Sequence, residues 1–310
     1  MISNISSYYV EPQIKKKDKI IAKNEIAGTL FTIIPIIGIA IFTFFPLILA
    51  FYISFCDTTS IDTVGFTGAV LYNVGGLFNN YVEVFKSEEF WRGFRNNLIL
   101  FLELPVSIIL SIVIAELLSK KVRFTNTFKL ILFVPYVCSV VATTYMWNQI
   151  FGTYEGGGIV NNLFNTNTPW LKEGLLYTVM IMTLWSSCGY RILLFTAAIT
   201  NVNTSLKEAA RIDGANPFQV FMHVTIPAIT PTIFYVLVMG MIGIFQEFTR
   251  INIVSSGYNY CPTMVGYIYK FRDDNAGLAC AASVVLALFI FGLTRLNFLF
   301  SKKWVNYDVD

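Results

Sequence analysis

Charge is what this chain has least of. Only 13% of its 310 residues are charged, about half the share of an ordinary soluble domain, which excludes a water-soluble globule. Histidine is scarcer still, with His223 alone, so no histidine cluster can hold a metal or relay protons. The five cysteines, Cys56, Cys138, Cys188, Cys261 and Cys280, are scattered with no C-x-x-C spacing. That pattern supports neither a metal site nor a disulfide framework. Cofactor, metal and catalytic residues are all expected to be absent. The net charge of +3 is too small to mark a nucleic-acid partner. Internal repeats, low-complexity segments and interrupted apolar spans are not evident either, which disfavours a self-contained ion-coupled carrier.

In place of charge the chain carries apolar bulk. It is 55% hydrophobic, and phenylalanine alone occurs 28 times. Apolar runs of about 20 residues, the length that crosses a bilayer, recur near 27–55, 97–118, 130–150, 174–199, 228–250 and 278–300. The expected fold is therefore all-α: a polytopic membrane protein of six transmembrane helices in contact with lipid. The first run is too long for a signal-peptide core and lacks a small-residue cleavage site, so it is expected to remain as a helix. Residues 1–26 form a Lys-rich leader, suited to an interfacial helix or to a plain basic tail. Residues 27–300 form the membrane domain, and 301–310 a tail.

Basic residues set the orientation. Lys15, Lys16, Lys17, Lys19 and Lys23 precede the first span, and Lys120, Lys121, Arg123 and Lys129 separate the second from the third. Lys207 and Arg211 follow the fourth, Lys302 and Lys303 the sixth. The opposite loops hold fewer: Lys86, Arg92, Arg95, Lys172, Lys270 and Arg272. By the positive-inside rule both termini are cytoplasmic. The outer loops 56–96 and 151–173 are marked by glycine at Gly75, Gly76, Gly156, Gly157 and Gly158, the second closing on Pro169-Trp170. Prolines at 35, 46, 105, 135, 227 and 231 fall inside or at the ends of spans, where each frees a carbonyl and bends the axis.

Between spans four and five lies SLKEAARIDGANPFQVFMHVTIP, residues 205–227, a polar segment that a membrane bundle does not itself need. Ser205 and Glu208 have capping-box spacing, which predicts a helix beginning at Leu206. Ala209, Ala210 and Arg211 favour helix, and Gly214 after Asp213 is a left-handed stop. Asn216 then caps a second helix, with Pro217 at its first position and Gln219 three residues after the cap. That helix is expected to align Phe218, Phe221 and Met222 on one face and to end before Pro227. Such a face must bury against the chain's own bundle or against a partner.

Glu208, Ala209, Ala210, Asp213, Gly214, Ala215, Phe221, Ile226 and Pro227 together resemble the EAA loop of permease subunits in binding-protein-dependent ABC importers. The resemblance extends over most of the chain. FFPLILAFYISF (44–55) resembles that family's first span, NNYVEVFKSEEFWRGFRNNLIL (79–100) its entry into the second, and LILFVPYVCSVVATTYMWNQIFG the third-span region of sugar-type permeases of the maltose and glycerol-phosphate kind. Thr200-Asn201-Val202-Asn203 departs from the common Leu-Gln-x-Ile-Pro, and Ser255-Ser256-Gly257-Tyr258 from a Thr-x-Gly-Gly-Pro loop. The resemblance implies a type I ABC importer permease in a bacterial plasma membrane, without catalysis of its own. It further implies a second, related permease, two cytoplasmic ATPases and an extracellular solute-binding protein as partners, with carbohydrate as the solute. Glu208 through Ala215, Phe218 and Phe221 would then engage the ATPase. Another solute such as glycerol phosphate, or a membrane scaffold or receptor recruiting a signalling protein, are the alternatives.

Charges at membrane depth cost about 2.5–3.5 kcal/mol each on an insertion scale, so those present need a reason. Arg191 lies within span four, Glu247 and Arg250 toward the outer half of span five, and Glu103 in the outer half of span two. Arg191, Gln246, Glu247 and Arg250 are expected to line a polar cavity, with Trp147, Trp185 and Tyr190 as stacking surfaces for sugar rings. The competing reading is an internal ion-pair cluster that ties helices together. Arg250, near the water boundary, is equally compatible with pointing outward. Glu116 and Lys120 have the spacing of an i,i+4 surface pair, and Arg295 that of a snorkelling residue.

Overall fold

The computed structural model describes residues 29–56, 76–120, 124–152, 158–255 and 263–307. The leader, Gly75, Gly156, Gly157, Lys121, Arg123, Cys261 and 256–258 lie outside them. All regular structure described is helical. The chain divides into two compact units, Met1–Ile53 and Ser54–Asp310. Among the described residues, five helices are long and apolar enough to cross a membrane, and a bent pair makes a sixth if counted as one span.

The first unit contains α1 (Thr29–Ile53). The second opens with α2 (Asn79–Lys86), α3 (Glu88–Phe101) and α4 (Glu103–Ser119). The Ser87 side chain caps α3 by accepting from the Phe90 N–H at 3.3 Å. α3 and α4 act as one span of 32 residues, which begins nine residues before the expected 97. The early start escaped hydropathy because EEFWRGFRN is polar. Its buried members Phe90 and Gly93, with Asn97 just beyond, recur on one side and face protein. Asn97 donates to the Ile244 carbonyl at 3.1 Å and accepts from the Met264 N–H at 3.0 Å. Leu102 interrupts the helix; Pro105, with no N–H to offer the Phe101 carbonyl, accounts for the break.

The third span is corrected more strongly. It is a broken pair, α5 (Thr125–Val137) and α6 (Val140–Phe151), bent by 96°. Pro135 removes a hydrogen bond in the last turn of α5, and Cys138 then turns to extended backbone (ψ 147°). The sequence showed no interrupted span because every residue around the break is apolar or small. α7 (Ile159–Phe164) leads to the long α8 (Leu175–Asn201). α9 (Thr204–Ile212) and α10 (Pro217–Val220) precede α11 (Thr230–Phe245), α12 (Thr249–Val254), α13 (Met264–Phe271) and α14 (Ala276–Ser301).

Prolines explain two further irregularities. π turns occur at Ala40–Phe44 and Phe221–Thr225. Each is centred on the carbonyl four residues before a proline, Phe42 before Pro46 and His223 before Pro227, where the missing N–H leaves slack that a wider turn takes up. Pro231 sits at the start of α11, where a missing N–H costs nothing.

α8 is the centre of the second unit, packed by α4 on one side and α5 on another. α4 presents Ser107 and Ser111, fully buried, beside Leu104, Ile108 and Ile112; small residues four apart let two membrane helices approach closely. α5 meets α8 at Gly189, where a Cβ would overlap the Leu132 carbonyl oxygen. Gly189→Val is expected to separate the two helices, at a cost of about 1–3 kcal/mol or more. A lowered unfolding temperature of the detergent-solubilised chain checks it, and an unchanged one contradicts it.

Candidate functional site

Two sites emerge, one just past the C-terminal end of α8 and one beside its middle. The first is the expected polar segment. Its initial helix begins at Thr204, two residues earlier than predicted. The cap is Asn203, whose Oδ1 accepts from the Ser205 N–H at 3.0 Å and the Ser205 hydroxyl at 2.8 Å. The Ser205–Glu208 capping box is therefore not formed; Ser205 serves the stronger cap just before it. The second helix begins as expected. Asn216 Oδ1 accepts from the Gln219 N–H at 2.9 Å, and Gln219 Oε1 from the Asn216 N–H at 2.8 Å. Gly214 joins the helices at φ 86°, a conformation open to glycine and strained for other residues.

The segment does not stop before Pro227, as the sequence suggested, but passes through the π turn into Ile226–Ala228. Nor do its three apolar residues share one face. Phe218 and Met222 are 66% and 45% exposed, whereas Phe221 packs against the core. Phe221 lies between Phe218 and the buried Val220 around the helix axis, at the boundary of the two faces. Leu206 and Ile212 are also exposed. Glu208, Ala209, Asp213 and Gly214 are exposed, and Ala210 and Ala215 half-buried.

Both ends of this knob are tied to the bundle. At its entry, Lys207 Nζ donates to the Ile199 carbonyl in the last turn of α8 at 3.1 Å. Burial there pulls the Lys207 ammonium below its usual pKa range, while Glu116 pushes it back up and Arg211 lowers it. At its exit, the Thr230 hydroxyl donates to the Pro227 carbonyl at 2.7 Å and accepts from the Asn306 N–H at 2.9 Å. The tail is held in turn by Val305, buried against Phe234 and Val238. Sequence alone assigns Lys207 only a topological role and Thr230 none, since Ile199 and Asn306 lie beyond the local spacing of either residue.

The second site is a cavity of about 430 Å³ among α5, the α5–α6 break, α8, α11 and α12. Of the expected residues, Tyr190, Arg191, Glu247 and Arg250 line it. Gln246, Trp147 and Trp185 do not. Gln246 ends α11 and is exposed. Trp147 stacks on Phe151 (5.4 Å, 15°) and meets Trp185 edge-on (5.5 Å, 82°), an aromatic cluster tying α6 to α8. Tyr136 and Tyr235 take the place of the tryptophans. Tyr136 stacks on Tyr190 at 4.9 Å and 15°, and the Tyr190 and Tyr235 hydroxyls lie 3.4 Å apart. Periodicity within one span cannot reveal such a cluster, which depends on the break after Pro135 and on the close approach at Gly189.

One charge pair joins two spans and the other lies within one. Arg191 Nη1 donates to Glu103 Oε1 at 2.9 Å and to the Ser107 hydroxyl, and the Ser187 hydroxyl donates to the same carboxylate oxygen at 3.2 Å. Arg250 turns inward, not out: Nη1 donates to Glu247 Oε2 at 2.5 Å and Nη2 to the Ser186 hydroxyl at 2.8 Å. The two sequence readings, cavity lining and helix-tying ion pairs, thus describe the same residues. Glu116 and Lys120 form the expected i,i+4 pair at 3.7 Å.

Residues 106–306 match the family described as binding-protein-dependent transport system inner membrane component. Similar proteins include the probable ABC transporter permease protein YesP of Bacillus subtilis (strain 168), 29% identical over 94% of this chain and 96% of that one. The sn-glycerol-3-phosphate transport system permease protein UgpA of Yersinia pestis bv. Antiqua (strain Antiqua) is 27% identical over 74% and 81%. Among solved structures, a bacterial ABC transporter involved in the import of the acidic polysaccharide alginate shares the fold, with a TM-score of 0.68 at 21% identity over 94% of this chain and 100% of that one. Together with its array of apolar helices, the match over 106–306 identifies this chain as a multi-pass membrane permease, a member of the family of inner-membrane components of binding-protein-dependent transport systems.

Proposed function

We propose that the chain is one of two related permease subunits of an ATP-driven importer, carrying a carbohydrate through the cavity beside α8. The knob at 204–228 docks on a cytoplasmic ATPase, and both termini lie on that side of the membrane. An extracellular binding protein delivers the solute, consistent with the solved alginate transporter complex that contains a pentasaccharide-bound periplasmic protein. ATP hydrolysis belongs to the partner.

The observation that carries this reading is the state of the knob. Its apolar residues Leu206, Ile212, Phe218 and Met222 are exposed rather than folded back on the bundle, while Lys207 and Thr230 fasten it to α8, α11 and the tail. An exposed apolar face on a braced base suits a partner's groove and transmits displacement rather than absorbing it. ATPase subunits that close on nucleotide would carry the knob with them and tilt α8 and α11 against each other. The cavity between those helices, with a break in α5–α6 on its wall, would then open to alternate sides.

The cavity's chemistry suits a sugar. Aromatic faces at Tyr136 and Tyr190 match the C–H faces of a pyranose, and the hydroxyls, carboxylate and guanidinium groups around them match its hydroxyls. Tyr190→Ala is expected to reduce uptake by about two- to tenfold, as loss of a stacking ring worth about 0.5–1.5 kcal/mol would, without lowering the amount of chain in the membrane. Uptake measured in cells producing equal amounts of native and variant chain checks it, and undiminished uptake removes the cavity from the pathway.

A further inference from the structure

The sign of the charge this cavity accepts can be read from how its arginines are held. Two guanidinium groups reach the wall, a feature that by itself suggests an anionic solute, and named relatives carry glycerol phosphate or an acidic polysaccharide. Here, though, each guanidinium already has its own carboxylate. Arg191 is held against Glu103, and Arg250 against Glu247, at 2.9 and 2.5 Å. One further N–H of each goes to Ser107 and Ser186. The remaining polar groups on the wall are the hydroxyls of Thr143, Thr183, Ser187, Tyr136, Tyr190 and Tyr235, which both donate and accept. Glu247 is itself on that wall and accepts hydrogen bonds only, a partner for a hydroxyl donor and a repulsive neighbour for an anion. Behind it, Glu103, 2% exposed, keeps Oε2 without a partner among the described residues. Glu103 and Glu247 both border a void of about 10 Å³, so the negative side of the cluster is not over-neutralised.

We propose that this charge-compensated cavity is selective for an uncharged polyhydroxyl solute and turns anions away. The inference rests on the cavity being the solute path, and names the class of solute that path takes. Two arginines matched by two glutamates leave no net field to draw in either sign, so recognition falls to hydroxyls and aromatic faces. An anion that approached either guanidinium would meet the carboxylate already bound to it.

A native reporter makes the field measurable without knowing the solute. Cys138 is exposed and lies on the cavity wall, at the break between α5 and α6. The full chain in lipid nanodiscs is treated with an anionic methanethiosulfonate (sulfonatoethyl) and a cationic one (trimethylammonioethyl). Labelling of Cys138 is followed by mass spectrometry, and the two rates are normalised to those with 2-mercaptoethanol. The expected ratio lies within about threefold of one, because an uncompensated charge in such a cleft would concentrate the opposite ion by tenfold or more. Glu247→Gln, which removes one negative charge from the wall, is expected to shift the ratio about tenfold toward the anionic reagent. A ratio beyond threefold in favour of either sign in the native chain overturns the proposal, as does a Glu247→Gln variant with an unchanged ratio. The native ratio decides alone where the variant fails to insert. Failure of the solute-path reading is separate, since it appears as undiminished uptake by Tyr190→Ala and leaves the labelling ratio untouched.

Discussion

Gly214→Pro leaves the chain in the membrane and abolishes uptake. Gly214 holds φ at 86°, while proline fixes φ near −65°, so the two helices of the knob cannot meet as they do. The Gly214 N–H also bonds to the Arg211 carbonyl at 3.1 Å, and proline has no hydrogen to give. A left-handed site forced on another residue costs about 1–3 kcal/mol, and a proline that cannot adopt it at all displaces α10 outright. Gly214 is itself exposed, so membrane insertion should match the native chain, and thermal unfolding should fall only as far as the contacts of Val220 and Phe221 are lost. Uptake at background level, with an ATPase subunit no longer co-purifying, is the expected result. Robust uptake would show that force does not pass through this turn.

The other large effect concerns Arg191. Arg191 and Glu103 are 6% and 2% exposed and bond to each other across α8 and α4. Removing one partner strands a buried charge, which costs about 3–5 kcal/mol. Arg191→Leu is thus expected to lower the unfolding temperature sharply and to abolish transport. Glu103→Leu introduced beside it should recover most of the lost stability, because two apolar side chains satisfy the same site without charge. Thermal unfolding of the two single variants and the double variant checks the coupling. Additive losses would mean that the pair is not the unit of stability.

Much of this molecule was legible in its sequence, and the limits have physical causes. Five spans follow from hydropathy because lipid contact demands apolar side chains along a continuous run. The capping box at Asn216 and the left-handed Gly214 were readable because both are local, written in residues three or fewer apart. The Asn203 cap was missed where two polar residues competed for one role and the earlier prevailed. Pro135 marks a bend in the sequence, but its extent, a 96° break between two helices, is not readable because hydropathy measures length and not direction. The cavity was legible only in part. Arg191, Glu247 and Arg250 betrayed themselves by the cost of charge at membrane depth, whereas Tyr136 and Tyr235 look like any interfacial aromatic until the break and the Gly189 contact bring them to Tyr190. Trp147 and Trp185 had the right chemistry in the wrong place.

The most direct test of the account asks what touches Phe218, the most exposed aromatic of the knob at 66%. Phe218 is replaced by the photoreactive p-benzoylphenylalanine in cells that produce the whole transport system. Membranes are then irradiated and the adducts identified by mass spectrometry. The account predicts an adduct with a nucleotide-binding ATPase subunit, lost when Gly214→Pro is present in the same chain. Adducts confined to the chain's own helices, with no ATPase among them, would contradict it.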